Sequence, residues 1–305
     1  MEFLMLNMTF NVTVTRTSPP YSLRSFTRGF TCLRMRLQSI YNEVMVKKDL
    51  KSKLMESYLN GIGLYAKATP FDQDVRYQDD QQPDKFSHNF LLLSQNPIHS
   101  TTIQRYLDTT KAFGFSQFVT FSPVIQASIH SILLPYKPIT ESLMLMSAPM
   151  NVLLKNMQGH QPGVTVDYLS KRDESSFLAL NYAMDVRYGI DYAKGNGKRI
   201  LEVLNENPDH AGYLLAKRKE MILGQIGYHR FDEMGEIDEF YVLDAYQHQG
   251  IGKWMFLKTL NQLKQLGVNM VTLVADPKDQ AYTIYQKWGF SDVISLFQLR
   301  VHIKP

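Results

Sequence analysis

A single cysteine, Cys32, occurs in the 305 residues. No intramolecular disulfide can form, which fits a reducing compartment and an expected cytoplasmic location. No run of eighteen apolar residues is present, which excludes a membrane-spanning helix. The eight histidines include no pair four residues apart and have no cysteine partners, so no metal centre is expected. The G-x-x-x-x-G-K-[ST] and G-x-G-x-x-G phosphate loops are both missing, as is the G-x-S-x-G nucleophile elbow. Clustered basic charge is scarce too. Of the net charge of +4, the five arginines and two glutamates of residues 1–44 account for +3, leaving a nearly neutral body with no face for nucleic acid.

That first stretch has no acid between Glu2 and Glu43 and is rich in Thr, Ser and Arg. One reading is an organelle presequence. The other, adopted here as the expectation, is a dispensable extension over 1–44, disordered or not native, with the chain starting near Met45. The whole chain is 44% hydrophobic with 12% aromatic residues, and its length suffices for two ordinary domains.

The most informative stretch is residues 236–254. Phe240-Tyr241-Val242-Leu243 reads as a buried strand and Lys253 to Leu266 as the amphipathic helix after it. Gln247-His248-Gln249-Gly250-Ile251-Gly252 makes the turn between them. Two glycines let backbone N–H groups face inward at a helix start, where the helix dipole also favours an anion. Val268 to Val274 is a second strand pattern, followed by a short helix with Ala281 and Tyr285 and then Gly289-Phe290.

The ordered set Q-x-x-G-x-G, A-x-x-x-Y and Y-x-x-x-G-F resembles the GNAT acyltransferase superfamily over about residues 164–300. The resemblance implies a mixed α/β fold, a central sheet flanked by helices, and an acetyl-coenzyme A cosubstrate with no metal. It implies direct attack by a primary amine in a ternary complex, an N-acetyltransferase reaction. Backbone groups of Tyr241, Val242 and Leu243 are expected to meet the pantetheine amides. Gln247, His248, Gln249, Gly250, Ile251, Gly252 and Lys253 are expected to form the pyrophosphate seat, with His248 either touching phosphate or facing water. Tyr285 matches the family tyrosine that donates to the leaving thiolate, against a reading as a core aromatic. Glu236 matches a strand glutamate that serves as base in some members. Asp238 is expected on the same strand face and Glu239 on the other, and all three acids can also be read as hairpin-edge charges. One departure is Lys278-Asp279-Gln280, where members often place an asparagine before A-x-x-x-Y.

The rest of this half reads as a strand over Val164–Leu169, a helix from Ser170 or Asp173 to about Arg187, a flexible Gly195-Asn196-Gly197, and a helix near Arg199–Glu206. Strands at Ala211–Arg218 and Leu223–Phe231 then form a hairpin. Tyr188 and Tyr192 are candidates to line the acceptor pocket, or half-buried packing residues. In the first half, Leu50, Leu54 and Tyr58 mark a helix over Lys47–Asn60, with strands at Leu64–Thr69 and Phe86–Leu93 and the acidic Asp72–Asp84 between them as a solvated loop. Ser100 is read as capping a helix over Thr101–Phe113, before a strand at Phe115–Phe121. Lys111-Ala112-Phe113-Gly114-Phe115 parallels Lys264-Gln265-Leu266-Gly267-Val268, so the halves read as a tandem repeat. The first copy has no glycine between Gly63 and Gly114, and Pro97 lacks the N–H a phosphate needs. The expected organisation is therefore a degenerate GNAT-like domain over 45–150 without a coenzyme loop, a linker over 151–163, and an acetyltransferase domain over 164–305. The degenerate half either closes part of the acceptor cleft or only packs. The acceptor is expected to be a small-molecule amine or a peptide amine, and a homodimer is compatible. The alternative function is a non-catalytic acyl-coenzyme A sensor or interaction protein.

Overall fold

A computed structural model of the chain describes residues 49–157 and 162–303. The expected extension over 1–44 and the centre of the expected linker lie outside the described residues.

The elements follow in the order α1 (49–63), β1 (Lys67–Phe71), β2 (Asp74–Gln78), β3 (Phe90–Leu92), α2 (Ser100–Thr110), β4 (Phe115–Thr120), α3 (Pro123–Leu133) and β5 (Ile139–Pro149). Then come α4 (Met150–Asn156), β6 (Thr165–Tyr168), α5 (Glu174–Asp185), α6 (Ile190–Glu206), β7 (Ala211–Arg218), β8 (Met221–Phe231) and β9 (Met234–Val242). α7 (Ile251–Gln265), β10 (Met270–Ala275), α8 (Gln280–Trp288) and β11 (Ser291–His302) complete the fold. All eleven strands form one sheet in the order β1-β2-β3-β4-β11-β5-β10-β9-β8-β7-β6.

This order is nearly symmetric about its centre. In each half a helix ends at a left-handed glycine, Gly114 or Gly267, and leads into a strand, β4 or β10. Each such strand pairs in parallel with the strand before the helix, β3 or β9. The last strands are exchanged: β5, from the first half, pairs antiparallel with β10, while β11, from the second half, pairs antiparallel with β4. β5 and β11 also pair with each other. The two halves therefore share one sheet.

Alternation along the strands divides the core between two faces. On one face Leu299 and Val301 pack under α2 and α3, while Met146, Ala148, Val271 and Leu273 pack under α7 with Met255, Phe256, Leu260 and Leu263. On the other, Leu145, Ile294 and Leu296 pack against Leu54 and Tyr58 of α1, and Tyr213 and Leu215 against Phe177, Ile200 and Val203 of α5 and α6.

Several expectations are corrected. Asp72–Asp84 is not a solvated loop: β2 runs through it in a hairpin with β1, and Asp79 and Gln82 are buried. β2 forms because Val75 and Tyr77 share a face that packs on α1. The strand expected at Leu64–Thr69 starts at Lys67 because α1 runs on to residue 63. The strand expected from Phe86 begins at Phe90, after a 3-10 turn over Phe86–His88. Ser100 is the first residue of α2, and His99 occupies the cap position without a side-chain bond. Gly195-Asn196-Gly197 lies inside α6, where a Cβ on Gly197 would stand 3.1 Å from Leu178. These residues serve close packing of α6 on α5. Residues 150–156 of the expected junction are the helix α4. Among the described residues no helix is long and apolar enough to cross a membrane.

Candidate active site

β9 ends at Val242 and feeds α7 through a single 3-10 turn, Asp244–Tyr246, and the loop Gln247–Gly250. The Gln247 amide pins this turn by donating to the Val242 carbonyl at 3.1 Å and to Asp244 Oδ1 at 2.9 Å. His248 and Gly250 both take left-handed backbone, at φ +59° and +80°, and this bend aims the start of α7 outward. The first intrahelical bond runs from Trp254 N–H to the Gly250 carbonyl at 3.0 Å. The amides of Ile251 and Gly252 precede it and point off the end of a fifteen-residue helix. A Cβ on Gly252 would stand 3.2 Å from Phe240 and 3.5 Å from Val242. Helix and strand thus approach closely here, and the backbone amides at the head of α7 make an arrangement that favours an anion.

The equivalent place in the first half is differently filled. At the start of α2, Thr102 Oγ1 donates at 2.8 Å to Asp72, which also pairs with Arg105. The hydrogen bond from Thr102 leads the interactions that lower the Asp72 pKa. Asp74 accepts from the Ser94 amide at 3.0 Å. Asp72 and Asp74 thus line the cavity at the start of α2 and give it carboxylate charge unfavourable to a phosphate.

β9 and β10 pair only over Met234–Glu236 and Met270–Thr272, then part. Beyond that point β10 pairs with β5 alone. A bulge opposite Gln225–Gly227 accompanies the parting, with Glu239 at φ +49°. The Leu243 amide is committed to the Leu223 carbonyl at 2.9 Å. By the alternation of an antiparallel ladder, Val242 is then the residue whose N–H faces the open edge. The bulge also overturns the simple alternation expected for the acids. Glu236, Asp238 and Glu239 all line one cavity of about 180 Å³ on the α1 face.

Within this cavity Glu236 is 8% exposed and its Oε2 has no hydrogen-bond partner among the described residues. Burial, reinforced by Asp238, pushes its pKa well above the usual carboxylate range. His229 is its cross-strand neighbour, and a Cβ on Gly61 would stand 2.9 Å from Glu236 Oε2 and 3.2 Å from the His229 ring. Burial, then the Lys85 charge, lowers His229 to about 4, so its imidazole is neutral at pH 7. Tyr65 places its hydroxyl 3.4 Å from His229 Nε2 and its ring 4.4 Å from that of His88. Lys85 closes the other wall, 3.4 Å from Glu239 and donating at 2.9 Å to Asn196, which donates at 2.8 Å to Asp185. Gly61, Tyr65, Lys85 and His229 were not identified from the sequence. They come from α1, the turn after it, the segment before β3 and β8, and no local pattern joins them.

Tyr285 lies elsewhere. On α8 its ring packs on Trp288 at 5.8 Å, Phe290 at 6.0 Å and Phe256 at 6.5 Å, on the α7 face of the sheet. Burial, then Asp279, pushes its pKa up to about 12, so its hydroxyl is a proton donor at neutral pH. Glu236 and Tyr285 are thus on opposite faces, and the parting of β9 from β10 lies between those faces. Tyr188 and Tyr192, with rings 5.9 Å apart, line a separate cleft.

A sequence model of the acetyltransferase (GNAT) family matches residues 183–290. No functionally curated protein matches the chain. Among solved structures, a conserved protein of unknown function from Staphylococcus epidermidis is similar with a TM-score of 0.63 at 19% identity, over 79% of this chain and 96% of that one. A GCN5-related N-acetyltransferase from Kribbella flavida gives 0.55 at 13% identity, over 82% and 94%. A tandem GNAT protein from the clavulanic acid biosynthesis pathway gives 0.50 at 11% identity, over 76% and 79%. Residues 183–290 therefore form a domain of the acetyltransferase (GNAT) family, within a chain that carries the GNAT fold.

Proposed function

We propose that the protein transfers an acetyl group from acetyl-coenzyme A to a primary amine by direct attack in a ternary complex. The observation that carries this reading is the buried carboxyl of Glu236, with one unpartnered oxygen, on the strand that ends at the anion seat. A strand rises about 3.3 Å per residue, so Glu236 and Val242 are about 20 Å apart along β9. A donor whose pyrophosphate sits on the Ile251 and Gly252 amides extends its arm along the open edge of β9, past the Val242 N–H, toward the acids.

An alkylammonium has a pKa of about 10.4 and must lose a proton before it attacks. Glu236, with its raised pKa, is the base that takes it, directly or through water. The amine nitrogen then bonds to the thioester carbonyl carbon, the C–S bond breaks, the thiolate takes a proton from the Tyr285 hydroxyl, and the second proton lost by the nitrogen restores that hydroxyl through solvent. The acidic cavity attracts a cationic amine before the proton is lost. The first half contributes α1 and Lys85 to the acceptor side and binds no coenzyme, since its turn lacks glycine and Asp72 and Asp74 beside it repel a phosphate.

The test is calorimetric titration of the full chain with acetyl-coenzyme A, followed by an amine panel read by thiol release. Gly252→Asp, which adds a carboxylate where phosphate approaches, is expected to abolish binding. Equal binding by this variant refutes the seat, and binding without thiol release from any amine favours a sensor.

A further inference from the structure

A second opening, about 650 Å³, lies beside the acidic cavity and shares Lys85, Ser87 and Gln298 with it. Its floor is the stretch of the central sheet that α1 leaves uncovered. Gln298, Arg300 and His302 alternate along β11 on this face, whereas Leu299 and Val301 are buried on the other. An antiparallel sheet carries polar side chains on an open face, and these three give the opening its polar floor. Phe86, Phe113 and Phe115 with Tyr188 and Tyr192 form apolar walls.

Two polar groups on this floor lack partners. Gln117, cross-strand from Arg300, is 1% exposed, and its side-chain oxygen has no hydrogen bond among the described residues. The Arg300 Nε is likewise buried without a hydrogen bond. Its guanidinium carbon lies 4.1 Å from the centre of the Phe86 ring, and Glu141, half exposed, is 3.9 Å from Nη2; Asp84 also lines the cleft. Buried polar groups without partners cost stability unless a ligand or water supplies them.

We propose that this cleft binds the body of the acceptor, and that the acceptor is an amino acid-like amine carrying a carboxylate and an apolar group. The carboxylate pairs with Arg300, a neighbouring N–H or O–H of the ligand donates to Gln117, and the apolar body lies between the aromatic walls. Charge sets the direction: the anionic end takes the Arg300 side, and the amine passes Lys85 toward Glu236, Asp238 and Glu239. The inference rests on the proposed transfer for the role of the amine, while recognition of the carboxylate is tested without turnover.

Phenylalanine, 4-(aminomethyl)benzoate and 4-(aminomethyl)phenylacetate are titrated calorimetrically into the full chain, each beside its carboxamide. A charge-assisted hydrogen bond predicts that at least one acid binds about tenfold more tightly than its amide. Arg300→Gln is expected to erase this preference, and Gln117→Glu to reverse it by setting a second carboxylate beside the first. Both variants should keep their affinity for acetyl-coenzyme A, which shows that they are folded. No binding by any acid, equal binding of acid and amide by the unaltered protein, or a preference that survives both substitutions overturns the proposal. Acid preference without acetyl transfer leaves the cleft standing and refutes the transferase reading. Transfer to acids and amides alike does the reverse.

Discussion

Glu236 has its raised pKa because Gly61, His229 and the strand around it exclude water without supplying its Oε2 with a donor. As a base it must be ionised, so activity should fall as the pH drops through a pKa that lies above the ordinary carboxylate range. Glu236→Gln should lower kcat by about 10²- to 10⁴-fold, remove that acidic limb from the pH profile, and leave acetyl-coenzyme A affinity unchanged. Stopped-flow thiol release across pH measures both effects, and an unaltered limb would assign the base elsewhere. The two buried imidazoles govern a different property. His229 and His88 are lowered to about 4 and about 3, chiefly by burial. Their folded pKa values lie below the unfolded value of about 6.5, so their contribution is present above that pH and is lost as the pH falls toward the folded values. Thermal melts between pH 7 and 4 should show stability dropping by roughly 1.4 kcal/mol per pH unit for each imidazole, and His88→Gln should flatten this dependence.

At the scale of elements, the site is made by two close approaches. α7 meets β9 at Gly252, and α1 meets the β8–β9 pair at Gly61. The first underlies the proposed anion seat and the second encloses the carboxyl proposed as the base. Gly61→Ala would put a methyl carbon 2.9 Å from Glu236 Oε2, so the carboxyl must shift. We expect kcat to fall about ten- to hundredfold with the coenzyme dissociation constant unchanged. Calorimetry and steady-state kinetics on the same preparation check this, and weakened coenzyme binding would mean that α1 supports the seat as well. The bulge in β9 belongs to the same scale: it follows the end of pairing with β10 and sets Glu239 beside Lys85.

For the whole molecule, the exchange of β5 and β11 makes each half depend on the other. Without β5, β10 loses its antiparallel neighbour, and the core under α7 loses the buried Met146 and Ala148. Residues 164–305 alone should therefore remain insoluble or unfolded, and co-expression with residues 45–163 should restore a folded complex, read by circular dichroism and gel filtration. A folded, coenzyme-binding 164–305 fragment would show that the exchange is dispensable. The same arrangement sets β4 beside β11 and so builds the Arg300 cleft from both halves.

Much of the second half was legible along the chain because its signals are local. The spacing from Gln247 to Gly252, the strand before it and the amphipathic helix after it lie within one stretch, and β7, α7 and β10 appeared close to where they were read. The Lys111–Phe115 and Lys264–Val268 parallel was also legible, because a left-handed glycine ending a helix before a strand leaves the same mark twice. β2 was hidden by its polar flanks, since Asp79 is buried with His88 after it and with Arg199 of the second half. α3 and β5 passed unread, as did the alternation of Gln298, Arg300 and His302 with Leu299 and Val301 in β11, which could have signalled a polar floor. The turn that carries the proposed anion seat was thus determined by the sequence itself, because backbone geometry at two glycines needs no distant partner. The acidic cavity, the neutral histidines and the cleft were decided only by tertiary structure: their pKa values and unpartnered atoms arise from water excluded by α1 and from an exchange of strands, both effects of residues far apart in the chain.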